Sequence, residues 1–130
     1  MKNLKPSWAV IMGLVFYVSI SFLVQSCATQ GFKTNAYKTL AAGAAIYESG
    51  YPAFLELHQH GLVSDAQKAF GKDLAVKYWA AYHAAVDALI AYDAMNSAEN
   101  QARVKTALDE AIRCLSNLSA YIQPFLSKGR

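Results

Sequence analysis

Apolar residues recur with the period of an α-helix over three separate stretches of this chain. In the first, Tyr37, Leu40, Ala44, Tyr47, Tyr51, Phe54 and His58 follow one another at spacings of three and four. Thr34 or Asn35 is placed to cap a helix over about 35–59, and Gly61 supplies its stop. Pro52 falls inside that pattern, lacks an N–H and disfavours the α conformation at Tyr51, which predicts a kink or break near Ser49–Pro52. The second stretch opens on Ser64-Asp65-Ala66-Gln67, a capping-box pattern with an acid in the first turn. Its main line is Phe70, Leu74, Tyr78, Ala81 or Tyr82, Ala85, Leu89 and Tyr92, and Trp79, Val86 and Ile90 form a second line beside it. A helix apolar on two flanks needs two neighbours, so 65–95 is predicted to be the middle helix.

Asn96 and Ser97 punctuate the chain before the third stretch. Val104, Leu108, Ala111, Leu115, Leu118 and Ile122 step along it by four and three, with Ala107, Cys114 and Tyr121 widening the seam. That predicts a helix over 98–122, ended by Pro124, and a frayed tail over 124–130. Connections this short force neighbouring helices to run antiparallel. The expectation for 34–123 is therefore an all-α, antiparallel three-helix bundle. Alanines such as Ala80, Ala84, Ala88 and Ala91 let its backbones approach, and the aromatic side chains supply its volume.

The start of the chain has a different pattern. Lys2 and Lys5 precede an uncharged apolar run of 16 residues, Ala9 to Val24. A bilayer span needs about 20 residues, and a basic flank before a shorter apolar run is the pattern of an export signal. Leu23-Val24-Gln25-Ser26-Cys27 follows at once, with an aliphatic residue three positions before the cysteine and a small one just before it. This segment resembles the lipobox of bacterial lipoproteins, although Gln25 departs from the usual occupant. The resemblance implies cleavage of the signal peptide 1–26, a diacylglycerol on the Cys27 thiol, and a polar tether over 27–33 carrying the bundle. Two or three acyl chains hold a protein firmly where one binds reversibly, since each buried methylene adds about 0.8 kcal/mol. Ala28, rather than aspartate, follows the cysteine, which by analogy with enteric lipoproteins tilts the expectation toward the outer membrane. Three other readings remain: a soluble export signal that leaves Cys27 free to pair with Cys114, an uncleaved membrane anchor, and a buried helix of a cytosolic protein.

Charge and composition narrow the function. The 130 residues carry a formal net charge of +3, and removal of Lys2 and Lys5 with the signal leaves ten bases against nine acids, or +1. Acids and bases are interspersed, which gives no clustered cations to displace counterions from phosphates, so nucleic acid is not an expected partner. Hydrophobic residues make up 55% of the chain, and Gly and Pro are too scarce for a collagen-like or disordered class. Two cysteines exclude a disulfide-dense scaffold.

Candidate chemistry is sparse. His58 and His60 are two apart, which on a helix separates them by about 200°, and a zinc site needs a third or fourth ligand that the sequence does not place, so no metal is expected. CxxCH is absent, and axial candidates for a haem are few (His58, His60, His83 and Met95), so no cofactor is expected. GxSxG, GxxxxGK[ST] and HExxH are likewise missing, so no catalytic residue is assigned and the protein is expected not to be an enzyme. Cys114 reads as a small buried apolar residue, or as a dimer-linking thiol in an oxidising compartment. Tyr78, Trp79, Tyr82 and His83 form the one ambiguous group: core residues by their spacing, or a patch for a partner or ligand.

The expectation is a cell-envelope lipoprotein, held to a membrane through lipid on Cys27, with its domain in the periplasm or outside the cell. It would serve an envelope protein partner as a non-enzymatic interaction or structural subunit through a helix face. The alternative is a carrier or sensor that binds a small apolar ligand among the aromatic side chains.

Overall fold

The computed structural model describes the backbone of residues 8–129 and the side chains of residues 30–129. The apolar run and Cys27, on which the lipoprotein expectation rests, therefore lie outside the residues with described side chains. Three helices make up the described chain: α1 (Trp8–Gln59), α2 (Asp65–Ala94) and α3 (Ala98–Lys128). No strand occurs among the described residues. Contacts divide the chain into two units, Met1–Thr34 and Asn35–Arg130. The first is helical from Trp8 onward, and Phe32 and Lys33 within it are half-buried. The second holds the core and is the three-helix bundle.

Helix ends follow from local chemistry. At the end of α1 the chain closes in a Schellman motif: Gly61 takes φ +74°, its N–H donates to the His58 carbonyl at 3.0 Å, and the Leu62 N–H donates to the Leu57 carbonyl at 3.0 Å. Ser64 then caps α2 through the expected reciprocal box. The Gln67 N–H donates to Ser64 Oγ at 3.2 Å, and the Ser64 N–H donates to Gln67 Oε1 at 2.8 Å. Ser97 caps α3 by accepting from the Asn100 N–H at 3.1 Å, while Asn100 Nδ2 donates back to the Met95 carbonyl at 3.0 Å and so closes the end of α2 as well.

Side-chain meetings set the directions. Phe54 of α1 lies against Gly71 of α2, and Tyr47 stacks on Tyr78 with centroids 5.4 Å apart, so α1 and α2 are antiparallel. Phe70 meets Tyr121 near the end of α3, and Asn100 meets the end of α2, so α2 and α3 are antiparallel too. Gly43 faces Leu115, Gly50 faces Ile122 and Leu57 faces Gly129, three contacts in steps of seven that make α1 and α3 parallel neighbours in a heptad register. The core contains Phe54, Val63, Ala75, Leu118 and Ile122 at one end of the bundle and Leu40, Ala85, Leu89, Tyr92 and Val104 among its other buried residues.

Four details differ from the sequence expectation. First, α1 does not begin near 35: it is already helical through 27–33, where a tether was expected, because Gly31 alone interrupts a run of residues compatible with helix. Second, α1 runs through Pro52. Pro52 is exposed and so is Glu48, the residue whose carbonyl loses its donor, so water can replace the missing bond. Third, α3 continues through Pro124 to Lys128 for the same reason, with Ser127 Oγ donating to the Pro124 carbonyl at 3.1 Å. Fourth, the buried line at the start of α2 is Gly71, Ala75 and Tyr78 rather than Phe70 and Leu74. Phe70 is 52% exposed, Leu74 is half-buried, and Ile90 of the second line is exposed. In α1 Ala36 is buried and Tyr37 exposed, while Leu40 and Phe54 of the expected line stay buried.

Candidate functional site

The four residues singled out on α2 divide by depth. Tyr78 is 2% exposed and belongs to the core; Trp79 and Tyr82 are half-buried; His83 is exposed. They touch in sequence: Trp79 meets Tyr82 edge-on at 5.1 Å, and His83 lies 5.7 Å from Trp79 and 5.8 Å from Tyr82, centroid to centroid. The structure adds two residues that sequence reasoning did not assign to this group, Tyr47 and Tyr51 of α1. Tyr47 stands 5.0 Å from Trp79 and 5.3 Å from Tyr51. Tyr51 leads on to Phe54 at 6.2 Å, and Phe54 to Phe125 at 5.5 Å and Tyr121 at 6.1 Å. The aromatic side chains thus form one chain of rings through all three helices. Pairs at these separations add about 0.5–1.5 kcal/mol each beyond their buried area. Both α1 tyrosines lie on the helical stripe, so their spacing was visible in sequence; their pairing with α2 needed the antiparallel register.

This packing fills the seam between α1 and α2 with the protein's own rings. A cavity touching Tyr78 measures about 20 Å³, with Thr39, Gly43, Tyr82 and Leu115 among its lining residues. That is space for about one water, well below the roughly 300–1,000 Å³ of a ligand pocket. The Tyr78 hydroxyl is buried and makes no hydrogen bond. An unsatisfied buried hydroxyl costs about 1–3 kcal/mol. Burial, followed by the neighbouring tyrosines Tyr82 and Tyr47 and by Glu48, pushes its pKa up to about 12. The phenol is therefore a neutral donor across the physiological range.

The other two seams are open. Between α2 and α3 a groove of about 510 Å³ is lined by Ala81, Ala84, Ala102, Thr106 and Ala107, with Glu99, Arg103 and Glu110 at its edges. It is followed along the same seam by a second of about 510 Å³ that includes Lys77, Ala80, Arg113 and Cys114. The charged rim is paired within the chain: Arg103 with Glu99, Arg113 with Glu110 and Lys77 with Asp73 at 2.8 Å. The Arg113 guanidinium, chiefly through its hydrogen bonds, holds the Glu110 carboxyl below the usual range. Cys114 Sγ lies 3.6 Å from Glu110 Oε1. Burial, then the hydrogen bond and charge of Glu110, raise the thiol pKa, which disfavours the thiolate a nucleophile requires.

The histidine pair separates. His58 Nε2 meets Asp65 Oδ1 at 2.7 Å across the α1–α2 connection, and this hydrogen bond, followed by the His58 charge, lowers the Asp65 pKa. His60 instead faces Glu56, at 3.9 Å. Among residues 30–129 no three His, Cys, Asp or Glu side chains converge as metal ligands would, and no helical stretch there is long and apolar enough to cross a membrane; the apolar run Ala9 to Val24 lies outside those residues. No family model, no curated protein and no solved structure matches the chain.

Proposed function

We propose that this chain is a lipid-anchored protein of the bacterial cell envelope whose three-helix domain acts, without catalysis, by docking a protein partner along the α2–α3 face. Cys27 carries the lipid, the domain sits in the periplasm or outside the cell, and the outer membrane is the anchoring membrane where the organism has one. The anchor part of this reading is supported by the lipobox-like Leu23–Cys27 segment alone.

The interaction part is carried by one contrast: the α1–α2 seam is closed by tyrosine and tryptophan rings, whereas the α2–α3 seam is an open apolar groove floored by alanines. Small side chains let a partner helix approach the backbone closely, and the rim charges, already neutralised in pairs, add little repulsion against it. The same contrast weighs against a carrier holding its ligand between the rings, since the rings pack on one another and the cavity beside Tyr78 measures about 20 Å³. A photo-crosslinking residue in place of Ala84 or Ala102, in intact envelopes, tests it. Both positions should give the same discrete protein adduct, and Ala69, exposed near the start of α2, should give none. Absence of an adduct from the groove, or equal adducts from all three, would exclude this face.

A further inference from the structure

The Tyr78 hydroxyl lies close to a surface groove. Its small cavity shares Thr39, Gly43, Ile112 and Leu115 with a groove of about 380 Å³ on the α1–α3 side of the bundle. Gly43 lies on the boundary between cavity and groove: a Cβ there would stand 3.1 Å from the hydroxyl oxygen and 3.5 Å from Leu115 Cδ2. Ile46 and Ile112, 52% and 48% exposed, form the outer walls, and Ala42, Ser116 and Ser119 complete the groove. No charged residue lines the cavity or the groove.

We infer that this notch and groove bind a neutral amphiphile, a molecule with one hydroxyl or carbonyl oxygen on an apolar body, whose oxygen pairs with the Tyr78 hydroxyl while its body lies between Ile46 and Ile112. A buried donor lacking a partner selects for an acceptor. The notch admits about one heavy atom, which limits the polar end to a single oxygen, and the apolar, uncharged lining disfavours a carboxylate or phosphate head, whose charge would be desolvated without a counter-ion. The high pKa of the phenol keeps the donor neutral. The site lies on a different seam from the α2–α3 face and stands or falls independently of it.

The test uses the full chain in phosphatidylcholine vesicles with two photolabels, a diazirine-bearing decyl alcohol and its hydroxyl-free counterpart. The alcohol should label peptides containing Ile46 and Ile112 about two- to tenfold more than the hydrocarbon, the range expected of one net hydrogen bond. Tyr78→Phe, which keeps the ring, should abolish that preference and leave hydrocarbon labelling unchanged. Gly43→Ala, which narrows the notch, provides a second variant and should reduce the preference in the same way. Equal labelling by both probes in the wild type, a preference that survives in Tyr78→Phe, or no labelling of the groove (a water only at the hydroxyl) would each overturn the inference.

Discussion

Gly71 shows how much of the fold a single missing atom can settle. A Cβ at this position would lie 2.6 Å from Phe54 Cε1, and Phe54 is fully buried, with Tyr51, Tyr121 and Phe125 around it. The ring therefore cannot swing aside as the end of a flexible chain would. In an open helix, Gly→Ala gains about 1 kcal/mol of propensity. Here overpacking of a filled core costs about 1–3 kcal/mol, which outweighs that gain. Gly71→Ala is expected to lower the thermal midpoint, with near-ultraviolet circular dichroism reporting disturbed aromatic packing. A raised midpoint would mean that Phe54 is not wedged. This residue also explains the rotated stripe on α2: a period count favours the larger Phe70 and Leu74, but the closest approach of the two backbones needs the smallest residue.

Helix boundaries divide by the chemistry that makes them. Two of the three starts assigned to side-chain capping were legible in the sequence: the Ser64 box and the Ser97 cap both form as their residue types require, whereas Thr34 and Asn35 lie inside α1 and do not start it. The boundaries assigned to proline were not, because a helix can continue through a proline where the orphaned carbonyl reaches water and packing holds the turns on either side. Pro52 and Pro124 are both exposed, and packing on either side of Pro52, by Tyr47, Tyr51 and Phe54, holds α1 helical through it. Proline in a helix interior costs up to about 3 kcal/mol relative to alanine. Pro52→Ala should thus restore a backbone bond without touching the core and raise the midpoint in thermal melts followed at 222 nm. An unchanged or lower midpoint would show that Tyr51 and Phe54 depend on the local geometry that proline imposes. The aromatic group was legible only in part for a related reason. Tyr78, Trp79 and Tyr82 are near one another in sequence, but Tyr47 and Gly43 join them through a register between helices that a linear period does not contain.

For the whole molecule, the decisive quantity is where the bundle is held. The second unit begins at Asn35, eight residues after Cys27, and contains every helix-to-helix contact described above. Among the described residues the buried core lies beyond Asn35, so the proposed cleavage after Ser26 would keep every one of those core residues in the mature chain. If Cys27 carries diacylglycerol, its substitution should alter processing and attachment while leaving the fold intact. Cys27→Ser is expected to abolish labelling by radioactive palmitate and to leave unprocessed chain that migrates more slowly on gels. Its far-ultraviolet circular dichroism should still show a helical bundle that melts cooperatively. Two or three acyl chains anchor far more firmly than one. The wild-type product should accordingly stay with membranes through high-salt and carbonate washes, which strip proteins held by charge. A normally sized, membrane-retained Cys27→Ser product would leave the thiol without a role in anchoring and would favour the uncleaved apolar run, Ala9 to Val24, as the attachment. Release of that product into the soluble fraction at normal size would favour a soluble export signal instead.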